Sequence, residues 1–337
     1  MALRSWTFPL RSSRALQLLV VTALCGAVSS CFLLSRPAGK LWIFVTNFGD
    51  DTVSVIDGDL DREVQVIKVG HAPQALAARA RDPLVAVANR QGGTITLIDP
   101  VKRAALTEGV HVPLGPEDVV FTVDGRQLIT NSYYEKTVTF VDVATRTAVG
   151  SPLSFAVRPR RLKVSPDGTR LYALLYDPQG AVAVIDLATR GVIATVPVGK
   201  FPTDFALTPD GRTLFAASFD DQKVTAIDTV SLKSTATYQI ETGFGLLVHP
   251  TRPLLYSMLS FEDEVLVFDY ATGKTVANVD VGTYPVYSAI TPDGRYLYVV
   301  NEDANNLTKV DTATNTKVEK IAVGTQPGAA VALVAPH

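Results

Sequence analysis

Reactive and metal-binding side chains are scarce in this chain. Its four histidines, His71, His111, His249 and His337, are scattered, none in a spacing such as H-x-x-x-H, and there are only two cysteines. Zinc centres need clustered nitrogen and sulfur ligands, and a catalytic triad needs a histidine with fixed partners, so no metal site is expected. No CxxCH haem attachment and no obvious axial ligand pair occurs, so no cofactor is expected either. Phosphate-cradling and nucleophile-elbow strings (P-loop, GxSxG, GxGxxG in strand–helix context) are missing, and no helix is predicted that would host them.

A basic excess is lacking too. The formal net charge is −2, which gives no footprint for neutralising phosphates, so nucleic acid is not an expected partner. Disulfides are equally unsupported, because Cys25 lies within an N-terminal apolar run that processing would remove, leaving Cys31 without a second thiol. Hydrophobic residues make up 47% of the chain and charged residues 19%, so a sizeable core and its closure must supply the stability.

The N-terminus has the layout of an export signal: Arg4, Arg11 and Arg14, then an apolar run over residues 15–28, then small residues before Cys31. The string Val28-Ser29-Ser30-Cys31 resembles the bacterial lipobox. That resemblance implies a signal peptide over residues 1–30, lipid on the Cys31 sulfur and a tether over residues 31–40. Phe32 stands where an aspartate would favour inner-membrane retention, so in a two-membrane cell the resemblance points to the outer membrane. Two other readings share this layout: an uncleaved anchor, since residues 15–34 are just long enough to span a bilayer, and ordinary secretion. Each places residues 41–337 outside the cytoplasm. Cleavage would remove three arginines and no acid, moving the net charge from −2 to −5.

Against these absences stands one strong regularity. Seven short β-type runs end in an aspartate, at Asp57, Asp99, Asp142, Asp186, Asp228, Asp269 and Asp311, with gaps of 42, 43, 44, 42, 41 and 42 residues. Self-similarity at this period is the signature of a four-strand propeller blade. Each repeat reads as a proline-led strand, a turn, a nearly continuous apolar strand, the aspartate-terminated strand, and a fourth strand ending in Val-Gly. Asp-Gly turns recur at Asp124, Asp167, Asp210 and Asp293, where glycine accepts positive φ without steric cost. The repeated aspartates open Asp-x-Ala-Thr turns and are assigned to structure, since a turn is used in every blade and an active site only once.

The fold class is therefore all-β, a seven-bladed β-propeller with four antiparallel strands per blade. The innermost strands begin at Pro73, Pro116, Pro159, Pro202, Gly245, Pro285 and Pro327, and the first sheet starts at Leu41 with its second strand. The C-terminal strand must then pair with residues 41–46, closing the ring and leaving no free edge.

The run LWIFVTNFGDDTVSVID from Leu41, the run TPDGRYLYVVNEDANNLTKVD from Thr291 and the VGxxP strings at Val69, Val198, Val281 and Val323 resemble the YVTN β-propeller repeat family. The likeness covers nearly all of residues 41–334, with degenerate copies at Leu84 and Leu254 that lack the Pro-Asp-Gly turn. That family is mostly bacterial and archaeal, exported or surface-attached, and usually without a demonstrated activity, so the resemblance implies architecture and compartment more than chemistry. Related seven-bladed folds include lactonases, streptogramin-lyase-like proteins and the haem d1 domain of nitrite reductases.

Two candidate sites follow. The loop face around the channel mouth is expected to carry Asn47, Arg90, Tyr133, Tyr134, Tyr176, Phe219, Phe261, Asp263 and Asn301, a mixture suited to a partner or small polar ligand. The channel wall takes the two positions after each leading proline, which gives Glu117-Asp118, Arg160-Arg161 and Thr203-Asp204 on three consecutive blades, while the opposite side is apolar. These charges form either an anion site with acids available for proton transfer, or an inter-blade network in which buried charges satisfy one another. His71, just before Pro73, is the best placed histidine for chemistry. The expected function is a non-enzymatic, membrane-tethered scaffold for protein or cell-envelope partners. The alternatives are a lactonase-like hydrolase or lyase using Glu117, Asp118, Arg160, Arg161, Asp204 and His71, and an accessory to a periplasmic redox enzyme.

Overall fold

The computed structural model describes residues 39–106 and 109–335. The expected signal peptide, Cys31 and most of the tether lie outside the described residues. Within them the chain forms seven antiparallel sheets arranged as blades, six of them running from innermost to outermost strand in chain order and the first taking its innermost strand from the C-terminus.

The strand that closes the first sheet is Pro327–Ala335, which pairs antiparallel with Lys40–Asn47, followed outward by Thr52–Asp57 and Arg62–Lys68. Lys40 lies opposite Ala335 and Trp42 opposite Leu333. Loop contacts reinforce the joint: the Phe48 N–H donates to the Gln326 carbonyl at 3.0 Å, and Asp50 accepts the Thr325 N–H and hydroxyl at 2.7 and 2.6 Å. The ring is closed as the repeat count requires.

Hydrophobic burial is concentrated between blades. The second strands Leu84–Asn89 and Leu254–Leu259 are buried at every position, because each is covered on both faces by neighbouring sheets. Trp42, Phe44, Val53 and Val55 of the first blade pack against Val85 and Val87 of the second, and Tyr256 and Met258 pack against Leu297 and Val299 one blade on. Each such aliphatic side chain contributes about 1.5–3 kcal/mol by leaving water. The outermost strands, such as Thr316–Ala322, are mostly exposed.

All seven repeated aspartates are turn residues. Asp57 accepts the N–H groups of Asp59 and Leu60, Asp99 those of Val101 and Lys102, and Asp142 that of Thr145. Asp186, Asp228, Asp269 and Asp311 repeat the pattern. The Asp-Gly turns place Gly125, Gly168, Gly211 and Gly294 at φ of 69, 70, 70 and 74°.

Blades two and three depart from the ideal repeat. The inner strand of the third blade begins at Val119 rather than at Pro116, because the Asn131 side chain accepts the Glu117 and Asp118 N–H groups at 3.1 and 2.7 Å in place of a neighbouring strand. Its outer strand is split into Thr147–Ala148 and Leu153–Ser154, around Gly150 in the left-handed region and Pro152, which has no N–H to offer.

One recurring irregularity shapes the channel. The inner strands carry a β-bulge directly after the leading proline, between Pro73 and Ala75, Pro159 and Arg161, Pro202 and Asp204, and Pro285 and Tyr287. A regular strand sends consecutive side chains to opposite faces, and a bulge suspends that alternation.

Candidate functional site

The bulge at Arg160 lets two consecutive arginines reach one space. Arg160 and Arg161 both line a chamber of about 260 Å³ on the loop side of the channel, together with Gln74, Arg90, Glu117, Tyr133, Arg158 and Tyr287. A second chamber of about 320 Å³ lies deeper, with Asp118, Lys163 and Asp204 in its wall. Arg161 and Tyr287 line both and so stand at the boundary, the guanidinium 4.2 Å from the ring centroid.

Arg161 is tied into the protein. Its Nη1 donates to the Glu117 carbonyl at 3.0 Å and its Nε lies 3.9 Å from Asp204. Burial works against its cation, yet Tyr287, Asp118, Asp204 and Glu117 outweigh that and hold it charged, with its pKa raised. Burial pushes the Asp118 carboxyl up, while Arg161 and Lys163 pull the other way. Asp118 and Asp204 each give one oxygen to the backbone N–H of the following residue and the other to the next blade, at Leu162 and Leu246. Both carboxylates are inter-blade latches.

On the loop side, rings and guanidiniums alternate. The Arg90 guanidinium lies 5.0 Å from the Tyr133 ring, Arg158 lies 4.4 Å from Tyr133 and 4.2 Å from Tyr176, and Arg160 lies 5.1 Å from Tyr176. Each contact adds electrostatic attraction and restrains a long side chain. Arg90 also pairs with Glu117 at 3.4 Å. Tyr134 extends this patch outward, edge-on to Tyr133 at 5.0 Å.

An aromatic cluster stands nearby on the same face. Phe219 and Phe244 are stacked at 5.9 Å, Phe244 and Tyr284 lie 5.9 Å apart, and Phe261 meets Tyr284 edge-on at 5.8 Å. Phe261 is 67% exposed. Phe244 and Tyr284 also line a mouth cavity of about 270 Å³ that shares Gln74, Arg90 and Arg160 with the arginine chamber. Both escaped the sequence reading although they share with Phe201 the position just before an inner strand, an aromatic recurrence over three consecutive repeats that could have found them.

The structure thus brings Arg90, Tyr133, Tyr134, Tyr176, Arg160 and Glu117 together at the mouth, with Phe219 and Phe261 beside them. Arg161 joins them at the inner boundary of the chamber, Asp118 and Asp204 line the second chamber, and the other candidates are not brought there. Asn47 and Asn301 are 0% exposed and belong to the blade interior, so their placement on the rim is corrected. Their amides donate to side chains five and seven residues on: Thr52 and Ser54 for Asn47, and Asn306 and Thr308 for Asn301. Asn89 does the same with Thr94 and Thr96, and this spacing was readable in the sequence. His71 sits outside the channel cavities as an exposed residue 2.9 Å from Asp51, away from Glu117 and Arg160. Asp263 accepts the Tyr284 N–H at 2.9 Å and shapes a loop. Among the described residues no group of three or more His, Cys, Asp or Glu side chains is arranged to hold a metal ion.

Ring closure by the C-terminal strand and a polar channel mouth on the loop side define a seven-bladed β-propeller of the repeat type. The YNCE-like beta-propeller family model matches residues 12–335, so this chain belongs to that family, in agreement with the YVTN-type repeats. No curated protein matches the chain. Among solved structures it is similar to the Kuenenia stuttgartiensis hydrazine synthase, at 20% identity and a TM-score of 0.73, covering 80% of this chain and 92% of that one. It is also similar to dihydro-heme d1 dehydrogenase NirN in complex with DHE, at 18% identity and a TM-score of 0.66, covering 86% and 74%. At these identities the likeness speaks for the fold alone.

Proposed function

We propose that this chain is an exported, membrane-tethered binding module that presents the loop-side mouth of a rigid propeller to a protein or cell-envelope partner. The observation that carries the reading is the pairing of an aromatic cluster (exposed Phe261 with half-buried Phe219, Phe244 and Tyr284) with an arginine–tyrosine stack on one face. Aromatic and arginine side chains are the ones that dominate binding energy in protein interfaces. The hydrolase alternative has less support, because Asp118 and Asp204 are engaged by backbone N–H groups and His71 stands apart from them. The redox-accessory alternative rests on the two solved propellers and therefore on fold.

A photo-crosslinking residue at position 261, compared with one at Val230, tests the reading in intact cells. Val230 is 76% exposed in the turn after the third strand of its blade, on the opposite face. A partner captured from position 261 and not from 230 is expected; no adduct at 261, or the same adducts from both, overturns the proposal. The tether is tested separately by palmitate labelling that disappears in Cys31→Ser and by processing sensitive to globomycin. Absence of label from the unaltered chain would remove the lipid from the picture.

A further inference from the structure

We infer that the arginine chamber on the loop side is a binding site for a compact oxyanion carrying at least two negative charges, such as a polycarboxylate or a small phosphate compound. The inference deepens the mouth-binding reading by naming a ligand class for it.

The charge balance of the chamber is the first reason. Four guanidiniums (Arg90, Arg158, Arg160 and Arg161) line it, and Glu117 is its one carboxylate. Arg161 is engaged by the Glu117 carbonyl, Asp204 and Tyr287, and Arg90 by Glu117. Arg158 and Arg160 form no ion pair and no side-chain hydrogen bond among the described residues; their guanidiniums meet only the faces of Tyr133 and Tyr176. Two cations gathered on the one Tyr176 ring and lining one chamber, with no acid paired to either, leave a local excess of positive charge that an external anion would balance.

Unmet hydrogen bonding is the second. The Nε atoms of Arg90 and Arg160 are buried without an acceptor, although both residues line this chamber. A buried charged donor that lacks a partner carries a desolvation penalty, which an ionised oxygen arriving from outside would relieve. Guanidinium forks match carboxylate and phosphate oxygens two at a time, so recognition by several arginines favours oxyanions over halides.

Preorganisation is the third. Tyr133 and Tyr176 hold Arg158 between them at 4.4 and 4.2 Å, so the guanidiniums are positioned before a ligand arrives and lose less freedom on binding. A volume of about 260 Å³ is below the usual range for drug-sized ligands, which restricts the occupant to a small molecule or to one charged group of a larger one.

The test is calorimetric titration of the purified full-length chain with citrate and, separately, with inorganic pyrophosphate, in a low-chloride buffer. Saturable binding of either probe is expected, weakened about tenfold or more in Arg160→Gln and in Arg158→Gln, in line with loss of a charge-assisted hydrogen bond. Tighter binding by citrate assigns the carboxylate source, and tighter binding by pyrophosphate the phosphate source; either supports the site. Glu117→Gln removes the one opposing charge and should tighten binding, an effect of opposite sign that a folding defect cannot imitate. Arg212→Gln, remote from the chamber, should leave affinity unchanged. The inference is overturned if neither probe saturates, if Arg158→Gln and Arg160→Gln bind as well as the unaltered chain, or if Glu117→Gln weakens binding. Since this titration involves no partner, its failure beside persistent crosslinking from position 261 would sink the anion site and leave the docking face standing.

Discussion

The Oδ2 atom of Asp118 accepts the backbone N–H of Leu162 at 2.8 Å, across the seam between two blades. Asp204 reaches Leu246 in the same way at 2.9 Å. These carboxylates stand in for the main-chain ladder that neighbouring blades cannot form. Asp204→Ala should therefore cost roughly 1–3 kcal/mol through a stranded N–H group, lowering the melting temperature by several degrees. Scanning calorimetry checks it. An unchanged melting temperature with lost ligand binding would reassign Asp204 to a site.

Closure makes a second expectation. Leu333 is buried beside Trp42 and Phe44 on the strand that completes the first blade. Leu333→Ala should destabilise by about 2–5 kcal/mol, whereas trimming the exposed Val230 to alanine should stay within about 0.5 kcal/mol. Deleting residues 327–337 should abolish cooperative unfolding, which circular dichroism during a thermal ramp would reveal.

The buried asparagines give a third. Gly70, Gly282 and Gly324 lie two residues beyond the ends of outer strands, and a Cβ on each would lie 2.6–2.7 Å from the amides of Asn89, Asn301 and Asn47 respectively. Gly282→Ala and Asn301→Ala should both destabilise the ring by about 1–3 kcal/mol without altering anion binding, the first by collision and the second by leaving Thr308 and the Gly282 N–H without their partner. Thermal melts run beside the citrate titration separate the two effects.

Acid should unfold the propeller through its turns. A hydroxyl donated by Thr208, then the Arg212 N–H, hold the Asp210 carboxyl below its usual value, and Asp124 and Asp167 are held down alike by Thr122 and Ser165. A lowered folded pKa means stability that is present above the unfolded value of about 3.9 and is lost as pH falls through the folded one. The melting temperature should be insensitive to these groups between about pH 5 and 7 and should fall below about pH 4. Asp210→Asn should shallow that fall. A fall of unchanged steepness in that variant would remove Asp210 from the account.

The blades were readable from sequence because their turns are local. An Asp-Gly pair or an aspartate two residues ahead of an N–H carries its own geometry, so Asp57 and Asp311 announce themselves without reference to the rest of the ring. The site was only partly readable. That Arg160 and Arg161 share a chamber depends on a bulge fixed by the partner strand, where Pro159 pairs with Leu175 and Arg161 with Leu174. Likewise Asn47 ends a strand among polar neighbours and reads as rim, while its amide in fact turns inward to Ser54. Phe244 and Tyr284 meet only because consecutive blades bring their loops together.

The strand Lys40–Asn47 is flanked on one side by Thr52–Asp57 and on the other by Pro327–Ala335. Any pull delivered through residues ahead of Lys40 is thus shared by two ladders and by the Lys40–Asp57 contact at 2.5 Å. An N-terminal leash would then tug on a segment braced from both sides, and mechanical load would have to shear both ladders before the disc gave way.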